Sequence, residues 1–146
     1  MTQASDSSPK VPVIGTVFGA GEGVAIGGVA YVLFENPVFA AGVGVMAALG
    51  GALFIPYILS VNALQEGEIT ADALPGGRMV HTGALGAALS SAAIIGLAAM
   101  FIIESAAVPL AVAFGYAAVS FLVLRFILPD ADSLANGDAD VDVTVS

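Results

Sequence analysis

The sequence has no cysteine and no tryptophan, a single histidine and only three basic residues. The absence of cysteine excludes disulfide bonds, thiolate metal sites and thiol catalysis. Charged residues make up 10% of the chain, whereas ordinary soluble domains carry roughly one quarter. Hydrophobic residues account for 58%, and the mean hydropathy is +0.99. This composition indicates an integral membrane protein that lies in a lipid bilayer.

Four long runs contain nearly all of the apolar residues. A hydrocarbon core of about 30 Å requires roughly 20 apolar residues in a helix, and each run is long enough. Their richness in glycine, alanine and leucine favours helices over the alternating segments of a membrane barrel. We predict one membrane domain, residues 11–128, with spans at about 11–34, 38–61, 80–103 and 107–128.

Very short connections join the first span to the second and the third to the fourth, so each pair should form a tight antiparallel hairpin. The predicted fold is therefore all-α, a four-transmembrane-helix bundle made of two tight helical hairpins. In such a chain Lys10, Arg78 and Arg125 all fall on one side of the membrane. Because basic residues concentrate in cytoplasmic segments, we expect a multi-pass cell-membrane protein with both termini and the 62–79 loop in the cytoplasm.

Acidic residues dominate the predicted cytoplasmic segments, which hold nine of the twelve, and the formal net charge is −9. A self-repelling, hydrated surface is typical of proteins in high-salt cytoplasms and favours a halophilic archaeal source. The alternative is an acidic tail on an ordinary membrane protein. We expect the N-terminus, 1–10, and the tail, 129–146, to be disordered, because they have little apolar surface, and we expect no nucleic-acid partner.

Glycine recurs every four residues in the first span. On an α-helix, steps of four residues drift by only about 40°, so these glycines share one face. Small residues on one face let a neighbouring backbone approach closely, and the third span carries a comparable surface. The predicted helix-packing positions are Gly15, Gly19, Gly23, Gly27, Gly83 and Ala87.

One acid, Glu22, lies within the first span at the edge of the glycine face and is expected to point into the bundle. Burial in a low dielectric disfavours a charged carboxylate, and no cation lies at this depth, so we expect a neutral carboxyl. Ser90, Ser91 and Tyr116 fall at a similar depth and could exchange hydrogen bonds with it. We predict that these four residues form a proton or polar intramembrane site.

The remaining ionisable residues carry weaker signals. A haem at His81 would need a second axial ligand, and an interfacial histidine is the simpler interpretation. The carboxylates of segment 66–72 lack the spacing of a calcium loop, which favours a solvated face. We therefore predict no metal and no cofactor. No nucleophile paired with a base is recognisable, so we do not expect an enzyme.

Two functions remain open at this point. We favour a structural or interaction role, as an accessory subunit of a larger membrane complex or as a homo-oligomer packed through small-residue helix faces. The alternative is a small proton-coupled transporter or channel that uses Glu22, because intramembrane acids commonly mark transport pathways. A water-accessible cavity at Glu22 would favour transport, whereas a dry carboxyl would favour the structural role.

Overall fold

A computed structural model of the protein describes residues 10–70, 78–129 and 133–134. Each of the four long helices in these ranges is long and apolar enough to cross a membrane. By length and composition, the prediction of an all-helical fold with four helices of membrane-spanning length is confirmed for the described residues. The disorder expected for 1–10 and 129–146 stays a prediction, because residues 1–9, 130–132 and 135–146 lie outside the described residues. The helices are α1 (Lys10–Phe34), α2 (Pro37–Gln65), α3 (Arg78–Met100) and α4 (Ala107–Ile127).

The apolar runs and the helices do not end at the same residues. Helix α2 continues to Gln65, past the end of its most apolar stretch, and α3 ends at Met100 although the apolar run continues. The N–H groups of Phe101 and Ile102 donate to carbonyl oxygens only three residues back, at 3.3 and 3.0 Å. This tighter bonding closes the last turn of α3 and ends the helix.

The helices pack in chain order, α1 on α2, α2 on α3 and α3 on α4, with far smaller contacts between α1 and α3 and between α2 and α4. In the membrane-length segments, 17% of α1 and of α4 is buried, against 44% of α2 and 39% of α3. Helices α2 and α3 are therefore central, and α1 and α4 are the outer helices of a row.

The backbones of α1 and α2 meet along a regular series of glycines, here called the glycine ladder. A Cβ atom added to any of these four glycines would come within 3.1 Å of a carbonyl oxygen of α2. At this separation no side chain fits between the two backbones, as in other close helix contacts built on glycine. The four rungs are Gly15 with Ala52, Gly19 with Ala48, Gly23 with Gly44, and Gly27 with Ala40.

Two residues, Glu35 and Asn36, connect α1 to α2. Glu35 has a φ of 50°, the left-handed conformation that is unfavourable for a residue with a Cβ, and its N–H donates to the Tyr31 carbonyl at 2.8 Å. The Asn36 side-chain oxygen accepts from the Phe39 N–H at 2.9 Å and caps α2, whose first residue is a proline. Both helix ends are thereby satisfied within a minimal connection.

Glycines also bring α2 against α3. A Cβ at Gly50 would lie 2.9 Å from the Gly86 carbonyl oxygen, and a Cβ at Gly86 would lie 2.8 Å from the Gly50 oxygen. The next residue, Gly51, faces α1 instead, and a Cβ there would lie 3.0 Å from Gly19 Cα. Two consecutive glycines of α2 thus serve two different neighbouring helices.

Small and aromatic side chains fill the space between the helices. The main core cluster takes residues from all four helices, including Ala30, Phe39, Ala92 and Ala113. A second cluster forms around Tyr57, near the end of α2 and the start of α3. The Tyr57 hydroxyl donates to the Pro129 carbonyl oxygen at 3.0 Å and so ties α2 to the segment that follows α4.

The glycine ladder predicts that one methyl group will have opposite effects at two glycines. Gly23→Ala should destabilise the protein by about 1–3 kcal/mol, because its Cβ would lie 2.6 Å from the Gly44 oxygen. Gly115→Ala is the matched control, since no described atom lies within 4 Å of its added Cβ. It should be neutral or stabilising by up to about 1 kcal/mol through helix propensity. Unfolding followed by circular dichroism in mild detergent measures both, and equal effects would contradict the ladder.

The positive φ of Glu35 gives a second prediction. Glu35→Val should lower the free energy of unfolding by about 1–2 kcal/mol, because a β-branched residue is disfavoured in this conformation. Glu35→Gly should cost at most about 1 kcal/mol, since glycine adopts the conformation freely but makes the unfolded chain more flexible. The same unfolding measurement applies. If Glu35→Val and Glu35→Gly lower the free energy of unfolding equally, the loss of the carboxylate, and not the backbone conformation, explains the effect.

Candidate functional site

Glu22 lies near the middle of α1 and is half-buried. One side of its carboxyl group rests against Gly51 of α2, because a Cβ added at Gly51 would collide with Glu22 Oε2. The missing side chain at Gly51 therefore makes the space that the carboxyl occupies. Helix α1 positions the acid, and the close approach of α2 holds it at the edge of the α1–α2 contact.

The other side of Glu22 faces an open groove of about 470 Å³ on the flank of α1 and α2. In the part of the chain that the structure describes, the Glu22 carboxyl has no hydrogen-bond or ion-pair partner. The acid is thus neither enclosed nor paired within the chain. The other residues that line the groove are all apolar: Val17, Phe18, Gly21, Ala25 and Ile55.

Ser90 packs against a different residue of α2 from the one that Glu22 contacts. A Cβ added at Gly50 would collide with Ser90 Oγ and would lie 2.5 Å from the Ser90 nitrogen. Glu22 thus meets α2 at Gly51 whereas Ser90 meets it at Gly50, and no hydrogen bond joins the two side chains within the described residues. The structure therefore does not bring Ser90 and Glu22 together.

Ser91 and Tyr116 line a second groove, of about 420 Å³, between α3 and α4. The Ser91 hydroxyl donates to the Ala87 carbonyl oxygen at 2.7 Å, within its own helix. Tyr116 is 40% exposed, so its ring forms part of the outer wall of the groove. Ser91 and Tyr116 therefore line one groove together, whereas Glu22 lies in a different groove on another helix pair.

Ser120 belongs to the same groove and was not singled out from the sequence. It lies four residues after Tyr116, and residues at that spacing share a helix face. The spacing was therefore a usable signal. The opposite roles of Gly50 and Gly51 had no such signal, since a glycine pair does not show which neighbour each residue meets.

The predicted packing positions lie at three different contacts. The four glycines of α1 all face α2 through the glycine ladder. Gly83 of α3 packs against the ring of Tyr57, and a Cβ there would lie within 2.7 Å of several ring atoms. Ala87 is half-buried and lines the groove between α3 and α4.

The remaining candidate residues lie near the ends of the helices. His81 is exposed on α3, with its ring centroid 6.5 Å from that of Phe121. The Arg125 guanidinium lies over the Phe126 ring, 4.5 Å from its centroid. Glu104 is exposed on the connection between α3 and α4. In the described ranges, no three histidine or acidic side chains are grouped so that they could hold a metal ion.

Comparisons of this chain with protein-family models, with curated proteins and with solved structures find no match. The arrangement offers one carboxyl in an apolar groove on one flank and a set of hydroxyls in a second groove on another. A neutral carboxyl can both donate and accept a hydrogen bond, and hydroxyls can do the same.

Proposed function

We propose that the protein is an integral membrane protein with an interaction role, and that it associates with a second copy of itself through the outer face of α1. In this proposal the four helices span the cell membrane, and both termini lie in the cytoplasm. The second copy supplies a hydrogen-bonding partner for Glu22. The proposed unit is a homodimer that either acts alone or joins a larger membrane complex.

The outer surface of the helix row supports membrane insertion. Large apolar side chains cover α1 and α4, with Val24 77% exposed and Phe126 76% exposed. Soluble monomers rarely expose contiguous apolar surfaces of this extent, whereas lipid tails are a suitable environment for them. The same apolar surface extends over both outer helices.

The face of α1 that points away from α2 has the properties of a helix–helix contact. Gly21 and Gly28 have no described atom within 4 Å of an added Cβ, and Ala25 between them is exposed. Residues at these spacings share one helix face. Small residues on an exposed face let a second helix approach closely, and the glycine ladder already occupies the opposite face of α1.

The observation that carries the proposal is the unpaired carboxyl of Glu22 beside this face. In hydrocarbon, a polar group without a hydrogen bond costs several kcal/mol, so an arrangement that pairs it is favoured. In a two-fold symmetric contact a residue near the symmetry axis meets its own copy, and the proposed dimer places Glu22 there. The two carboxyl groups then meet, and in the protonated form each can donate to and accept from the other.

Substitutions at Glu22 test the association. Glu22→Leu should weaken dimerisation by about 0.6–2 kcal/mol, because it removes the paired carboxyl. Glu22→Gln should retain the dimer, since an amide also donates and accepts. Glu104→Leu is the matched control, because it removes an exposed acid outside the proposed contact. Energy transfer between labelled copies diluted into lipid bilayers measures the dissociation constant.

A wild-type protein that stays monomeric at high density in the bilayer would overturn the proposed dimer, as would a Glu22→Leu variant that dimerises like wild type. The same variants test the alternative function, a small proton-coupled transporter or channel that uses Glu22. Proton-coupled flux in liposomes that is present in wild type and lost in Glu22→Gln would identify Glu22 as a transport site. The groove beside Glu22 would then be part of the transport route.

Reporter fusions test the proposed topology. A reporter placed after Ser146 and another inserted in segment 66–74 should both be active in the cytoplasm, because all three basic residues then lie on that side. A third reporter at Glu104 should be external. An external signal from either of the first two positions would contradict the four-span arrangement.

A further inference from the structure

The groove between α3 and α4 has the size and lining of a small-molecule site. Its volume is about 420 Å³, within the range of roughly 300–1,000 Å³ that is common for ligand pockets. It is open on the flank of the row and separate from the groove beside Glu22. The lining residues are Ala87, Ser91, Tyr116, Val119, Ser120, Val123 and Leu124.

Three hydroxyl groups, of Ser91, Tyr116 and Ser120, line this groove. A helical serine commonly donates its proton to the carbonyl four residues back, as Ser60 does at 2.8 Å and Ser91 at 2.7 Å. Ser120 makes no such bond within the described residues, and the Tyr116 hydroxyl likewise has no partner there. The groove therefore presents two hydroxyl donors, while the Ser91 oxygen remains able to accept.

The ligand that fits this lining is uncharged and accepts hydrogen bonds. None of the lining residues carries a charge, so a charged ligand would lose its hydration without gaining an ion pair. The nearby cation, Arg125, lies over the Phe126 ring. An apolar surround makes an unpaired hydroxyl costly, which favours an occupant with carbonyl acceptors.

Two kinds of carbonyl ligand, a ring ketone and a lipid ester, can be distinguished by the depth of the hydroxyls in the membrane. Tyr116 lies near the middle of α4, about 15 Å from either end at 1.5 Å per residue. If α4 spans the bilayer, which is the only part of the proposed function used here, Tyr116 lies far below the ester carbonyls of the lipid headgroups. A lipophilic molecule with carbonyls on a flat ring can reach this depth.

We infer that the α3–α4 groove binds an uncharged lipophilic carbonyl compound of the quinone class. The Tyr116 and Ser120 hydroxyls donate to a quinone carbonyl oxygen, and the ring lies against Val119 and Val123. The binding is independent of the contact proposed at Glu22, because the two grooves lie on different helix pairs.

The test uses the full-length protein in lipid nanodiscs and a photoreactive short-chain naphthoquinone. Labelling should be saturable and should map to peptides of α3 and α4. Tyr116→Phe and Ser120→Ala each remove one donor and should weaken binding by about two- to tenfold. Tyr31→Phe and Ser60→Ala are matched controls outside the groove and should leave the affinity unchanged. Circular dichroism verifies that each variant is folded.

Three outcomes would overturn the inference. The first is labelling that does not saturate or that maps to α1 and α2. The second is equal competition by a naphthalene analogue without carbonyls, which would show binding by lipophilicity alone. The third is unchanged affinity in both folded variants, Tyr116→Phe and Ser120→Ala. The reporter fusions and the dimerisation measurement do not depend on any of these outcomes.

Discussion

The backbones of α1 and α2 meet at the four rungs of the glycine ladder, and the positions of the neighbouring side chains depend on this close contact. Because no side chain separates the two helices there, Glu22 is held directly against α2, where only a glycine leaves room for its carboxyl. The opposite face of α1 is left uncovered. Helix α2 uses the adjacent glycine, Gly50, to approach α3 in the same way.

Packing in chain order gives the molecule two separate polar positions instead of one. In a closed bundle α1 would contact α4, and polar residues at the same depth would all face one common core. In the observed row the carboxyl lies in one lateral groove and the hydroxyls lie in another. In the proposed membrane setting, both grooves open toward the lipid. Each would then be filled by another protein or by a lipid-soluble molecule that diffuses within the membrane.

Run length and hydropathy were sufficient to predict four helices, and the spacing of four residues was sufficient to predict which face of α1 carries its glycines. Neither property shows which helix covers a face. Glu22 and Ser90 have similar predicted depths, but they contact different faces of α2, at Gly51 and Gly50. Apolar composition also continues through Ile103 although α3 ends at Met100, because hydropathy does not report the bonding of the last turn.

A series of glycines spaced by four residues looks the same after a shift of one helical turn. If α1 moved about 6 Å along α2, three glycines would again face small residues, with Gly19 opposite Ala52. The glycine ladder alone therefore permits more than one register. The connection selects one, because such a shift would break the Glu35 bond to Tyr31 and the Asn36 cap. With a longer connection, the same two helices would have the elements of a one-turn ratchet.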